Sequence, residues 1–367
     1  MNIGIDARTA LMERKGGYGI YTRNLIKSMA SSYPNYSFNL KYVNKIEHSI
    51  SGYNNIDFNK LDFPLKMLWT QLRLPLHFIN YQPDVFLFPS QSITRFSSCK
   101  KVVTIHDLRF KALENHNRLE YHRLNLQMKN CINYSDQITC VSNQTKIDLM
   151  EYYSVDESII NVIYHGADHF KEINKQTAKI DQNYLSNKYK LPENFLLTVG
   201  FTMKHKNLTT AIFCLKALIK KNHNINLVMV GPEAFDEQNI LKAISSLKLE
   251  NRVLRIPYVN SIDLPYLYYY SKLFIYPSLY EGFGFPILEA MRSGAIVAGS
   301  KISSIPEIGS NAMIYFNPYD LEEMIFKVDS LLSNKEKQKQ LKLAGYNQAK
   351  TFKWKETAKK TIQTLEN

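Results

Sequence analysis

The chain has 367 residues, 45% hydrophobic and 22% charged, which excludes a disordered chain and a single small domain and suits two soluble α/β domains. No run approaches the roughly 20 apolar residues of a membrane span, and the start Met1–Asp6 lacks a signal peptide's basic and apolar regions, so a cytoplasmic protein is expected. A net charge of +13 predicts anionic partners: nucleotide phosphates, nucleic acid or an acidic membrane leaflet.

Short β-branched runs alternate with helical patterns from end to end, the mark of parallel α/β layers. The first predicted strand, Ile3–Asp6, is followed by the loop Lys15-Gly16-Gly17-Tyr18-Gly19 and a helix with Tyr21, Leu25 and Met29 on one face. Glycines before a helix N-terminus let backbone amides approach a phosphate. Further strands are predicted at Phe38–Val43, Val85–Phe88, Val102–Ile105, Ile138–Val141 and Val162–Tyr164. His106-Asp107 ends the fourth of these six strands, where a histidine can either bond a substrate hydroxyl or satisfy local backbone. The polar stretch Lys171–Lys190 reads as an interdomain linker. A second series follows at Phe195–Gly200, Ile225–Gly231, Val253–Ile256, Leu273–Tyr276 and Ala295–Ala298. Each series predicts a doubly wound sheet with ligands at the carboxyl ends of its strands, and two such sheets facing one another would hold a ligand in the cleft between them.

Two segments carry the chemistry. After strand Phe195–Gly200 come Lys204, His205 and Lys206, then Asn207 as the expected N-cap of a helix bearing Leu208, Ile212, Leu215 and Ile219. Cations at a helix N-terminus oppose its dipole unless an anion lies between them, so a diphosphate is expected there. After strand Leu273–Tyr276, Gly282 and Gly284 open a helix on which Glu289 sits among Ile287, Leu288, Ala290 and Met291. A carboxylate in apolar surroundings needs donors, and a ribose diol supplies two. The chain contains no D-x-D and no H-E-x-x-H, so no metal–diphosphate site is expected, and the cationic group would neutralise a leaving diphosphate instead. Cys99, Cys131, Cys140 and Cys214 lack paired short spacing and predict free thiols, neither zinc ligands nor disulfides. Lys335–Lys360 holds nine lysines against Glu336 and Glu356, read either as a solvated face or as a contact with an acidic membrane.

Glu281 and Glu289 form an E-x7-E segment, and the chain resembles the retaining glycosyltransferases of the family 4 type, with the two-domain GT-B fold and a mannosyltransferase-like character. The resemblance also rests on Gly16–Tyr21, Trp69–Pro75, Thr104–Leu108, Val141-Ser142, Tyr164–Asp168, His205–Asn207 and Ser304–Glu307. It implies an acceptor-binding domain over 1–172, joined by a returning C-terminal helix over 350–367, and a nucleotide-sugar domain over 190–349. It implies that Lys206 meets the donor diphosphate and Glu289 the ribose. Glu281 with the amides of Gly282, Phe283 and Gly284 would hold the transferred sugar and β-phosphate. His106 would lie near the donor sugar, Gly17 near the diphosphate, with catalytic roles for His106, Glu281 and Lys206. One departure stands out: the family usually has Arg-Lys-Asn where this chain has His205-Lys206-Asn207. Histidine offers a single donor and a titrating charge in place of a permanent fork.

The expected activity is therefore metal-independent hexose transfer, from GDP-mannose first and from UDP- or dTDP-hexoses as alternatives. The expected acceptor is a lipid-linked or growing surface polysaccharide, such as a polyprenyl-diphosphate-linked glycan, bound by first-domain loops that include Asn44–Pro64. A non-catalytic sugar-nucleotide-binding subunit is the rival reading. Nucleic acid is not an expected partner, since no recognised module accompanies the charge.

Overall fold

Runs buried on both faces, such as Val85–Phe88 and Leu273–Tyr276, become inner strands of two parallel sheets. The computed structural model describes residues 1–10, 17–43, 50, 52–65, 68–113, 117–173, 178 and 180–367. Lys15, Gly16 and part of the 44–64 loop lie outside the described residues. Met1–Gly166 and Lys353–Asn367 form one unit, and Ala167–Phe352 the other.

The first unit's sheet contains β1 (Asn2–Asp6), β2 (Ser37–Tyr42), β3 (Ile56–Lys60), β4 (Val85–Phe88), β5 (Lys100–Ile105), β6 (Gln137–Cys140) and β7 (Ile160–Val162). Their order is β3-β2-β1-β4-β5-β6-β7, every pair parallel. The second sheet contains β8 (Phe195–Val199), β9 (Asn226–Val230), β10 (Val253–Ile256), β11 (Leu273–Tyr276), β12 (Val297–Ser300) and β13 (Ile314–Phe316). It runs β10-β9-β8-β11-β12-β13, also parallel throughout. Winding reverses between β1 and β4 and between β8 and β11, so the loops leaving those carboxyl ends diverge and open a crevice in each unit. The expected doubly wound α/β class holds for both units.

Two strands escape sequence patterning, β3 and β13, and each is an edge strand. Edges are covered on one side only, so β3 has a single buried residue, Ile56, and no apolar run. The stretch expected to be a linker is also corrected. Asp181 caps a helix Gln182–Tyr189 that buries Leu185, and Lys188 pairs with Asp263 at 2.7 Å, so the segment belongs to the second unit. Polar composition reflects one exposed helix face there, not a tether. The helix Trp354–Glu366 packs on the helix Gly17–Ser32 within the first unit.

Close approach fixes the loop after β8. An added Cβ on Gly231, at φ +144°, would lie 2.0 Å from the carbonyl oxygen of Gly200. Gly231→Ala is therefore expected to destabilise the second unit by about 2–4 kcal/mol, read from chemical denaturation. Stability equal to wild type would show that the β8 and β9 loops can part without loss.

Candidate functional site

The second unit's crevice is built from the loops after β8 and β11. Beyond β8 the chain makes a tight turn at Lys204–Lys206 and enters the helix Leu208–Lys220 through Asn207, at φ 51°. The Lys206 ammonium lies 2.6 Å from Glu281 Oε1 and 3.3 Å from the Tyr276 hydroxyl at the end of β11. Burial works against charge on Glu281, but the charges of Lys206 and His205 outweigh it and hold the carboxyl below its ordinary value. Burial, with Glu281 beside it, raises the Tyr276 phenol well above its ordinary value, so it stays neutral.

The cations after β8 do have an anion beside them, and it is supplied by the protein: Glu281. Lys204 projects into solvent, whereas His205 is buried and its carbonyl accepts from the amide of Leu279. Asn207 holds the N-cap position in a left-handed conformation, and its side chain does not cap the helix amides. It accepts instead from the Thr210 hydroxyl at 2.6 Å. The three cationic residues thus divide into a solvated one, a loop anchor and a paired one.

The turn after β12 fixes the Glu281 loop. The Glu281 amide donates to Ser303 Oγ at 2.8 Å, and Ser304 Oγ donates to the carbonyls of Glu281 and Phe283. Gly284, at φ +104°, turns the chain into the helix Phe285–Arg292. Phe283 packs its ring against Phe285 and Phe352, so any ligand contact it makes falls to its backbone. Glu289 on that helix is 6% exposed and accepts from the Tyr268 hydroxyl at 3.1 Å. No cation pairs with it among the described residues. Burial pushes its carboxyl up to about 7.

Gly17 and His106 belong to the first unit. An added Cβ on Gly17 meets nothing within 4 Å among the described residues. Tyr18, next in sequence, sets its ring 4.5 Å from that of His106. His106 Nε2 donates to the Pro89 carbonyl at 2.8 Å, and burial lowers its pKa to about 4, so the ring is neutral with Nδ1 as its acceptor face. The local-backbone role weighed for it is real.

Several site-building residues carried no sequence signal of their own. Tyr268 and Tyr276 look like ordinary core aromatics. In the first unit, Arg8 pairs with Asp6 at 2.7 Å, bonds Thr70 Oγ1 at 2.8 Å and lies 4.2 Å over the Trp69 ring. That network ties the Trp69–Pro75 segment to the carboxyl end of β1. No group of His, Cys, Asp and Glu suited to a metal occurs among the described residues. The four cysteines are free.

Known proteins match this arrangement. Residues 15–170 match Glycosyltransferase Family 4 and residues 181–348 match Glycosyl transferases group 1, between them most of the chain. The serotype-specific mannosyltransferase WbdA of Escherichia coli is 30% identical over 61% of this chain, but the match spans only 28% of WbdA. The O-antigen chain mannosyltransferase B of Escherichia coli is 25% identical, covering 84% of this chain and 78% of that protein. Sucrose-phosphate synthase from Thermosynechococcus elongatus has the same fold, with a TM-score of 0.78, 17% identity and coverage of 99% and 98%. The matched families, the two reversed-order sheets and the paired carboxylates after β11 agree: the chain belongs to the family 4 type of glycosyltransferases, with the GT-B fold.

Proposed function

We propose that the chain transfers a hexose with retention of configuration from a sugar nucleotide, GDP-mannose first, to a lipid-linked or growing O-antigen- or capsule-type glycan. The observation that carries this reading is the Lys206–Glu281 pair at the β8/β11 reversal, with the buried Glu289 on the adjoining helix. A diphosphate entering this crevice takes Lys206 as its counter-charge, and Glu281 is left to accept from a hydroxyl of the transferred sugar. Glu289 accepts from the ribose diol. Neutral His106 offers Nδ1 to a sugar hydroxyl, and Gly17 leaves room for the diphosphate. The acceptor hydroxyl attacks from the face the diphosphate leaves, giving its proton to the departing oxygen. No metal is invoked: the sequence has no D-x-D, and Lys206 would neutralise the leaving group.

The mannosyl donor is supported by the names of WbdA and mannosyltransferase B. A cytoplasmic site of action with peripheral contact to the anionic inner membrane face is supported by the charge of +13. No helix among the described residues is long and apolar enough to cross a membrane. A thermal-shift screen of GDP, UDP, dTDP and ADP with their sugars is expected to give the largest rise with GDP. A larger rise with UDP or dTDP would replace the donor. Sugar transfer by the purified chain should disappear in Glu281→Ala, and absence of transfer by wild type despite tight nucleotide binding would favour a non-catalytic subunit.

A further inference from the structure

The His106 ring has more support than a local backbone bond requires. Its Nε2 donates to the Pro89 carbonyl at 2.8 Å, but the outer torsion of a histidine is broad, so that bond alone leaves the ring free to rock. Two tyrosines of the helix Gly17–Ser32 remove this freedom. Tyr18 and Tyr21, three residues apart on one helix face, both set their rings against the imidazole. Their centroids lie 4.5 and 4.9 Å from it, at interplanar angles of 61° and 85°, the edge-on geometry that ring quadrupoles favour.

Each tyrosine is anchored by its hydroxyl. Tyr18 donates to Gln91 Oε1 at 3.2 Å, and Gln91 donates to the carbonyl of Asp107, the residue after the histidine. Tyr21 is bonded to Thr104 Oγ1 at 3.3 Å, on the strand β5 that leads into His106. Tyr18 is 40% exposed, so burial of an apolar ring does not account for its place. Behind Tyr21 the support continues: its ring packs 4.4 Å from that of His165, which stacks on Trp354 at 6.2 Å. Trp354 opens the C-terminal helix, and Thr357 on its first turn donates to the Tyr164 carbonyl at 2.8 Å, fixing the helix beside His165. All of these residues belong to the first unit. The imidazole atom left to act is Nδ1, which has no partner among the described residues.

We propose that Tyr18 and Tyr21 are positioning residues for the transfer: they lock His106 in one ring orientation and one tautomer, with Nδ1 as acceptor. The C-terminal helix braces Tyr21 through His165 and Trp354. The proposal rests on the reading above that Nδ1 meets a sugar hydroxyl. A hydroxyl donating to a ring already fixed in place requires no reorganisation as the transition state forms.

Long-range proton–nitrogen spectra of the isotope-labelled, unliganded protein read the tautomer directly, with His106→Gln assigning the signal. Wild type should show a single form protonated on Nε2 near neutral pH. Tyr21→Leu and Tyr18→Leu should show a second tautomer or exchange broadening, and Tyr21→Phe, which keeps the ring, should not. Tyr18→Leu, at the half-exposed position, decides the matter if Tyr21→Leu does not fold. Trp354→Leu should reproduce part of the change, and a wild-type spectrum there would detach the C-terminal helix from the clamp. The second readout is hydrolysis of the sugar nucleotide that gives the largest thermal shift, water standing in for the acceptor. Tyr21→Leu should lower kcat by about 10- to 100-fold with KM little changed, the cost of a misplaced group. It should add nothing to the loss caused by His106→Gln. A single unchanged tautomer in both leucine variants would overturn the clamp, and a fully additive loss in the double variant would reduce Tyr21 to core packing. An unchanged kcat in His106→Gln would instead sink the sugar-contact reading, and the positioning role with it.

Discussion

Lys206→Ala is expected to lower kcat/KM by roughly 10²–10³, the loss associated with removing one preorganised charge from a leaving group. The structure adds a consequence for stability. Lys206 and Glu281 are 16% and 12% exposed, so deleting the ammonium strands a largely buried carboxylate beside Tyr276. That is expected to destabilise the variant by about 2–4 kcal/mol near neutral pH. The pH sign separates this effect from lost packing. In wild type Glu281 titrates below its ordinary value, so its contribution is present above the ordinary carboxylate range and is lost only as pH falls through the depressed value. Without Lys206, burial dominates, the carboxyl holds its proton more tightly than in the unfolded chain, and stability falls as pH rises through the window between the two. The gap in melting temperature between variant and wild type should therefore widen from about pH 5 to pH 8. Adding Glu281→Gln should restore much of the stability and none of the activity. An unchanged rate would remove Lys206 from the site, and an equal gap at both pH values would mean that its stem, not its charge, matters.

How much of this was legible beforehand depended on whether burial was symmetric. Inner strands such as Val85–Phe88 and Leu273–Tyr276 coincide with the structure because both faces demand apolar residues. Edge strand β13 is only three residues long, and edge strand β3 carries no such demand and vanishes into the polar background. The helix Gln182–Tyr189 was hidden for the same reason, with Leu185 as its lone buried residue. In the site, Glu289 could be read because a carboxylate in an apolar helix violates local expectation. Its partner Tyr268 could not, since a buried tyrosine in Leu264–Tyr270 violates nothing. The Lys206–Glu281 pair joins residues 75 apart and follows only from the β8–β11 adjacency. His205 is buried, and its backbone carbonyl accepts from the Leu279 amide, a bond open to any residue type, so nothing in the structure explains the histidine in place of the usual arginine.

Glu289→Gln is expected to weaken nucleotide binding and, at the same time, to stabilise the unliganded protein above neutral pH. Glu289 is neutral below about 7 and ionises above it, whereas in the unfolded chain the same carboxyl ionises near 4.5. The folded value is raised, so the native state holds the proton more tightly and stability falls as pH climbs through that window. The shift is worth on the order of 3 kcal/mol at full ionisation. Glutamine never ionises and can still accept from Tyr268. The variant should melt like wild type near pH 5 and above it near pH 8. Ligand reverses the preference, because a ribose diol donates best to the carboxylate. Wild-type affinity for the nucleoside diphosphate should therefore rise with pH through about 7, with proton release on binding seen by calorimetry in buffers of different ionisation enthalpy. The diphosphate itself titrates in this range, and Glu289→Gln retains that part, so the difference between the two proteins isolates the carboxyl. Near pH 8 the variant should bind roughly 10- to 100-fold more weakly, the loss expected for charge-assisted hydrogen bonds. Equal affinity in both proteins at that pH would detach Glu289 from the ribose and leave it a buried acid held by Tyr268 alone.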